Sequence, residues 1–239
     1  GGKYTLSIHD LDYAGDFSYV YRLAIARGPR VLAAYPAAGK RGTTQKVDFV
    51  GIGVATGAAQ VETVSKDVAF PADAAATSFQ YKLETPHGIA PPVMLLISDL
   101  AEQVKPAGGA ELPLAALPAA VTGAIEARFG SESCAVPLKK DEKWKITAEA
   151  ASFGSPLDLE LSLLGPDGKQ VATADDLPGT TDPQLLFAVP ADGAYKIVVG
   201  DKSGASGSRG ANYRLSIEPQ REDFTLTLPT QLPIPLGAP

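Results

Sequence analysis

Apolar and polar residues alternate with a period of two along much of this 239-residue chain, and no other feature constrains its fold as tightly. Leu157, Leu159, Leu161 and Leu163 alternate with Asp158, Glu160 and Ser162, and Trp144, Ile146 and Ala148 alternate with Lys145 and Thr147. Side chains two residues apart share a face only on a strand, so each run predicts a half-buried β-strand. The runs are short because turns interrupt them: 24 glycines and 20 prolines are spread along the chain. Gly165-Pro166-Asp167-Gly168 is one such turn, with proline second and glycine fourth as a type I turn prefers. Many short strands with frequent turns predict an all-β chain of tandem β-sandwich modules.

The alternation also repeats at long range. Gly2-Lys3-Tyr4-Thr5-Leu6-Ser7-Ile8-His9-Asp10, a loop, and Tyr21-Arg22-Leu23-Ala24-Ile25 match Gly193-Ala194-Tyr195-Lys196-Ile197-Val198-Val199-Gly200-Asp201, a loop, and Tyr213-Arg214-Leu215-Ser216-Ile217. The tyrosines are 17 residues apart in the first copy and 18 in the second. Each copy is expected to form an antiparallel hairpin. In the first, Tyr4, Leu6, Ile8, Tyr21, Leu23 and Ile25 would present one apolar face and pack on the following module or on a neighbouring chain. Strand-like sequence precedes the second copy and completes a domain around it. Residues 1–27 are therefore expected to be the last strands of a truncated upstream module.

The order of signals over 118–218 carries a family likeness. Leu157-Asp158-Leu159-Glu160-Leu161, the turn at Gly165, Ala174-Asp175-Asp176, Asp182-Pro183, Leu185-Leu186-Phe187, Pro190-Ala191-Asp192-Gly193-Ala194-Tyr195 and Tyr213-Arg214-Leu215-Ser216-Ile217 follow one another. This resembles the bacterial pre-peptidase C-terminal (PPC) domain family. The resemblance implies a non-catalytic, jelly-roll-like β-sandwich appended to exported enzymes and large surface proteins. Members commonly carry an Asp-x-Asp-x-aromatic signature, where this chain has Ser131-Glu132-Ser133-Cys134-Ala135-Val136. In 28–117, Tyr35-Pro36, Gly42, Val47, Phe49 and Gly51 resemble an immunoglobulin-like module, with 100–120 expected to act as a linker. Residues 219–239, with Phe224, Leu226 and Leu228 followed by prolines, are expected to begin a further module or a tail.

Chemistry is sparse. A net charge of −6 argues against a nucleic-acid partner, and no apolar run approaches the roughly 18 residues of a membrane span. Cys134 is the single cysteine, so neither an intrachain disulfide nor a cysteine zinc site can form, and a small buried residue is expected there. His9 falls on the polar phase of its strand, and His87 falls in a turn, Thr85-Pro86-His87-Gly88. No nucleophile elbow, P-loop or dinucleotide fingerprint occurs. Trp144 alternates with Ile146 and is expected in the core. Asp175, Asp176 and Asp182 are the candidate ligands for calcium, which needs several oxygens. The competing role for them is capping backbone N–H groups in a turn.

The functional expectation is a non-enzymatic, secreted or cell-surface region mediating binding or adhesion. Its expected partners are an extracellular protein or polysaccharide and other modules of a longer parent. A carbohydrate-binding module of a degradative enzyme and a structural spacer of the cell envelope are the alternatives.

Overall fold

The computed structural model describes residues 2–9, 15, 20, 21, 23, 25, 28–106, 108 and 110–221. Their regular structure is almost wholly strand and forms two β-sandwiches in tandem. The first contains β1 (Arg30–Tyr35), β2 (Ala38–Lys40), β3 (Thr44–Ile52), β4 (Val61–Ala69), β5 (Ser78–Tyr81), β6 (Glu84–Thr85), β7 (Gly88–Ile89) and β8 (Val93–Ser98). A sheet of order β1-β3-β4 and one of order β2-β8-β5 share a core, with β6 and β7 pairing separately. Phe49 stacks on Tyr81 at 5.1 Å between ring centres, and Phe70 meets Phe79 edge-on at 5.4 Å.

The second sandwich contains β9 (Glu102–Val104), β10 (Leu112–Pro113), β11 (Ala119–Ala124), β12 (Ser131–Leu138), β13 (Lys143–Glu149), β14 (Leu159–Leu164), β15 (Gln170–Ala174), β16 (Gln184–Ala188), β17 (Gly193–Asp201) and β18 (Asn212–Pro219). A single 3-10 turn, Ala151–Phe153, follows β13. The sheets have the orders β10-β12-β17-β14-β15 and β16-β13-β18-β11-β9. The period-two positions read from sequence fill the space between them. Leu159, Leu161 and Leu163 of β14, Ile146 and Ala148 of β13, and the Tyr, Ile and Val positions of β17 are buried, with Trp144 at the margin. Each such leucine, isoleucine or valine side chain contributes on the order of 1.5–3 kcal/mol by leaving water. The turn at Gly165 joins β14 to β15 as expected, with the Gly168 N–H donating to the Gly165 carbonyl at 2.9 Å.

Three expectations are corrected. Residues 193–217 are not a hairpin: β17 pairs with β12 and β14, whereas β18 pairs with β11 and β13. Each is the middle strand of its own sheet, and the loop between them crosses from one sheet to the other. Six apolar residues in one phase can either line one face of a ribbon or face each other across a core. Burial from both sides decides for the core.

The first copy forms no hairpin among its described residues either. None of 2–9, 20, 21, 23 and 25 lies in a strand, and Tyr4, Leu6, Ile8, Tyr21, Leu23 and Ile25 are 48–91% exposed. Residues 10–14, 16–19, 22 and 24 lie outside the described residues. A bare two-stranded ribbon is marginal in water, and the sheets of the first sandwich already cover one another.

The stretch expected as a linker also differs. β9 pairs in parallel with β11, β10 pairs in parallel with β12, and Leu114 is buried in the second core. Pro113 is tolerated there because β10 is an edge strand. Residues 222–239 lie outside the described residues.

Candidate functional site

Strands β11 and β18 are buried along both faces, which a two-sheet sandwich alone does not explain. On β18, Tyr213, Leu215 and Ile217 point into the core, leaving Asn212, Arg214 and Ser216 in the opposite phase. The first sandwich covers that phase. Asn212 Nδ2 donates to the Ala34 carbonyl at 3.2 Å, and the Ala37 N–H donates to Thr122 Oγ1 at 2.9 Å. Tyr35 Oη donates to the Arg209 carbonyl at 2.5 Å, while the Arg209 guanidinium lies 4.9 Å from the Tyr35 ring centre.

Arg214 is the hub of this seam. Its Nη1 meets Glu149 Oε2 at 2.6 Å, and its Nη2 meets Glu102 Oε1 at 2.7 Å and donates to Ser98 Oγ at 3.1 Å. Burial pushes the Glu149 carboxyl above its ordinary range, and the Arg214 charge opposes that shift. Burial also disfavours the charge on Arg214, but the Glu102 and Glu149 carboxylates outweigh it and hold the guanidinium above its ordinary value. Charges this far from water persist only with partners: β9 and β13 of the second sandwich supply the two carboxylates, and the first module adds the Ser98 hydroxyl.

A cleft of about 460 Å³ opens beside the seam. Leu32 of β1, Pro91, Pro92, and Val93 and Met94 of β8 form one wall, and Phe153 on the 3-10 turn forms the other. Arg30, Gln80 and Ser152 supply its polar groups, and none of its lining residues is acidic. Val31, Leu32, Val93, Met94 and Phe153 also line a smaller pocket of about 30 Å³ that reaches Asn212 of the seam.

The aspartates read as a calcium site are not brought together, which corrects that expectation. Asp182, 5% exposed, accepts from the N–H of Ala150 at 2.7 Å and Ala151 at 2.9 Å through Oδ1, and of Ser152 at 3.0 Å through Oδ2. It caps the 3-10 turn and so holds Phe153 at the cleft. Asp175 instead pairs with Lys202 at 2.5 Å, and Asp176 is exposed. Among the described residues no group of three His, Cys, Asp or Glu could hold a metal. Three carboxylates close in sequence diverge because β15 ends at Ala174 in one sheet, whereas Asp182 leads into β16 of the other sheet and meets the turn after β13.

Sequence reasoning passed over a second surface. Phe129 is 61% exposed with φ +53°, a left-handed conformation unusual for a bulky residue. The Asp201 carboxylate organises the loop beneath it, accepting from Ser203 Oγ and Ser206 Oγ at 2.6 Å each, and Ser206 Oγ accepts from the Phe129 N–H at 2.9 Å. Burial pushes the Asp201 carboxyl up, but the bonds from Ser203 and Ser206 outweigh it and leave it below its ordinary range. The ring borders a depression of about 280 Å³ on the outer face of β12, β17 and β14, with Ser131, Ser162, Glu160 and Lys202 around it. Left-handed backbone at a phenylalanine carries no sequence signature.

The reactive residue types are built into structure. His87 sits in the turn between β6 and β7, its Nε2 3.1 Å from the Ala55 carbonyl oxygen. Cys134 is 1% exposed, and burial, helped by Glu132 and Glu111 and opposed by Lys105, pushes its thiol up to about 11. The thiolate is the reactive form, so an aromatic disulfide reagent at pH 8 is expected to leave the native protein unlabelled. It should titrate one thiol per chain after unfolding in denaturant. Rapid labelling of the native protein would show that the second core opens locally.

No family model matches the chain, and no curated protein is found similar to it. Among solved structures, the chain is similar to the pre-peptidase C-terminal domain of a collagenase from Bacillus anthracis, at 12% identity and a TM-score of 0.37. That likeness spans 48% of this chain and the whole of the domain. The Aeromonas hydrophila PliG, a periplasmic inhibitor of g-type lysozyme, is similar at 18% identity and a TM-score of 0.36, over 50% of this chain and all of that one. The tandem-sandwich architecture stands on the strand pairing within the chain itself.

Proposed function

We propose that this chain is a non-catalytic binding region of a secreted or surface protein, with a PPC-type second sandwich, and that it holds a protein partner in the cleft between its modules. The observation that carries this reading is the cleft's construction: apolar side chains contributed by both modules, interleaved with polar surface that includes Arg30, beside a seam of buried charge. Clefts at module boundaries that combine apolar side chains with placed polar groups are preferred binding sites. A volume of about 460 Å³ admits one large side chain with its neighbours, and a preformed wall lowers the ordering cost of binding. Arg30 favours an acidic residue beside that anchor. A catalytic role is disfavoured because Glu102, Glu149, Glu132 and Asp182 are engaged by Arg214, by Lys105 and by backbone N–H groups.

Panning a displayed random-peptide library against the chain tests this. Peptides with an aromatic or aliphatic residue next to Asp or Glu are expected, and Met94→Glu and Arg30→Glu should each weaken their binding at least tenfold with unchanged melting. Binding indifferent to both substitutions would remove the cleft from the reading.

A second reading has its own observation, the fixed and exposed Phe129 above a rim of hydroxyl, carboxylate and ammonium groups. That arrangement suits stacking and hydrogen bonding to a polysaccharide. In affinity electrophoresis through polysaccharide gels, retardation abolished by Phe129→Ala would favour it, and no retardation in any gel would count against it.

A further inference from the structure

The exposed apolar residues near the start of the chain have counterparts whose surroundings are known. Tyr4, Leu6 and Ile8 align with Tyr195, Ile197 and Val199, and Tyr21, Leu23 and Ile25 align with Tyr213, Leu215 and Ile217. The second set is at most 2% exposed and occupies the middle strands of two opposed sheets, whereas the first set is 48–91% exposed. Shared hydrophobicity alone would be weak grounds, since any two amphipathic strands alternate. The repeat also preserves residues that hydrophobicity does not explain. A Cβ on Gly193 would lie 2.2 Å from Pro166 Cγ, so the position demands glycine, and its counterpart is Gly2. Asp201 organises the loop after β17 and Arg214 anchors the seam, and the sequence repeats them as Asp10 and Arg22.

We infer that Tyr4, Leu6 and Ile8, and Tyr21, Leu23 and Ile25, take the places of Tyr195, Ile197 and Val199, and of Tyr213, Leu215 and Ile217, in the central pair of another sandwich of the same plan as 102–219. Their partners are strands equivalent to β12 and β14 on one side and to β11 and β13 on the other, all from outside residues 28–221. The segment therefore has one kind of occupant to meet: a sandwich lacking its middle pair. Being central, each strand needs neighbours on both edges and an opposing sheet, which the first module does not offer. This inference is independent of which surface binds a partner.

Transplantation tests it directly. In one chimera of the full chain, residues 193–217 are replaced by the sequence of 2–25. In another, only the strands are exchanged, 2–9 for 193–200 and 21–25 for 213–217, keeping the native loop. Trp144, the only tryptophan, lies in β13 beside β18 and reports on this sandwich. At least one chimera is expected to keep its buried-tryptophan emission and a single cooperative melt. The same chimera carrying Leu6→Asp in the transplanted strand should lose both. Failure of both chimeras to fold overturns the inference, and so does equal folding with Leu6→Asp. Deleting residues 1–27 from the native chain is expected to leave the Trp144 transition within about a degree. A loss of several degrees would mean that the segment packs on this body after all.

Discussion

Arg214→Met is expected to destabilise the protein by about 3–5 kcal/mol, the usual cost of removing one member of a buried ion network. The substitution leaves the Glu102 carboxylate, with 4% of its side chain exposed, without its guanidinium, and deprives Glu149 of its contact at 2.6 Å. Arg214→Lys should recover little of the loss. One ammonium cannot reproduce a planar fork that meets Glu102, Glu149 and Ser98 at once. Replacing the network as a whole, with Arg214→Met, Glu102→Leu and Glu149→Leu together, should lie closer to the parent, because no charge is then stranded. Urea melts followed by Trp144 emission measure all three. A loss below about 1 kcal/mol in Arg214→Met would place the charges in contact with water and remove them as the anchor of the seam. Because Arg214 sits where the modules meet, the single substitution should also weaken any ligand of the cleft.

Asp182→Ala should cost about 2–4 kcal/mol, since three backbone N–H groups lose their acceptor and two of them, at Ala151 and Ser152, can partly recover by meeting water. Asp182→Asn is expected to fall between, as its single amide oxygen can still accept from Ala150 and Ala151. The calcium role expected for Asp175, Asp176 and Asp182 makes a different forecast: melting temperature would rise with added calcium and fall with chelator, as for any ligand of the native state. The observed geometry predicts melting that is indifferent to both, and a large deficit in Asp182→Ala whether calcium is present or not. A calcium-dependent rise of several degrees, absent in Asp182→Ala, would restore the metal reading. Peptide binding by Asp182→Ala at temperatures where it remains folded separates stability from positioning. A loosened 3-10 turn should cost affinity through Phe153 even then.

The second core was largely legible in the sequence because a strand buried on one face must alternate. Leu159, Leu161 and Leu163, Ile146 and Ala148, and Tyr195 and Tyr213 could be assigned to one side without knowing what lay opposite. The turn at Gly165 was equally legible, since its proline and glycine are required by local backbone angles. Asp175, Asp176 and Asp182 are not grouped, because proximity in sequence says nothing of where a chain turns between Ala174 and Asp182. Phe129 escaped notice because its place depends on Asp201 and Ser206, more than seventy residues away.

What the sequence by itself determined is the strand period, the turns and the residues that must leave water, since these follow from local geometry and from the chemistry of each side chain. Only the tertiary structure decided which strands are neighbours. β17 and β18 follow one another in sequence yet lie in opposite sheets, because a loop such as 202–211 can close a hairpin or cross a core with similar local chemistry. It also decided the fate of the polar phase of β11 and β18. Thr122, Asn212, Arg214 and Ser216 alternate with core residues as solvent-facing residues would, and they are buried because the first module brings Ala34, Ala37 and Ser98 onto them, while Glu102 of the neighbouring β9 pairs with Arg214. Alternation reports that a face is polar, and only the packing of one module on another shows whether that polarity meets water or a partner.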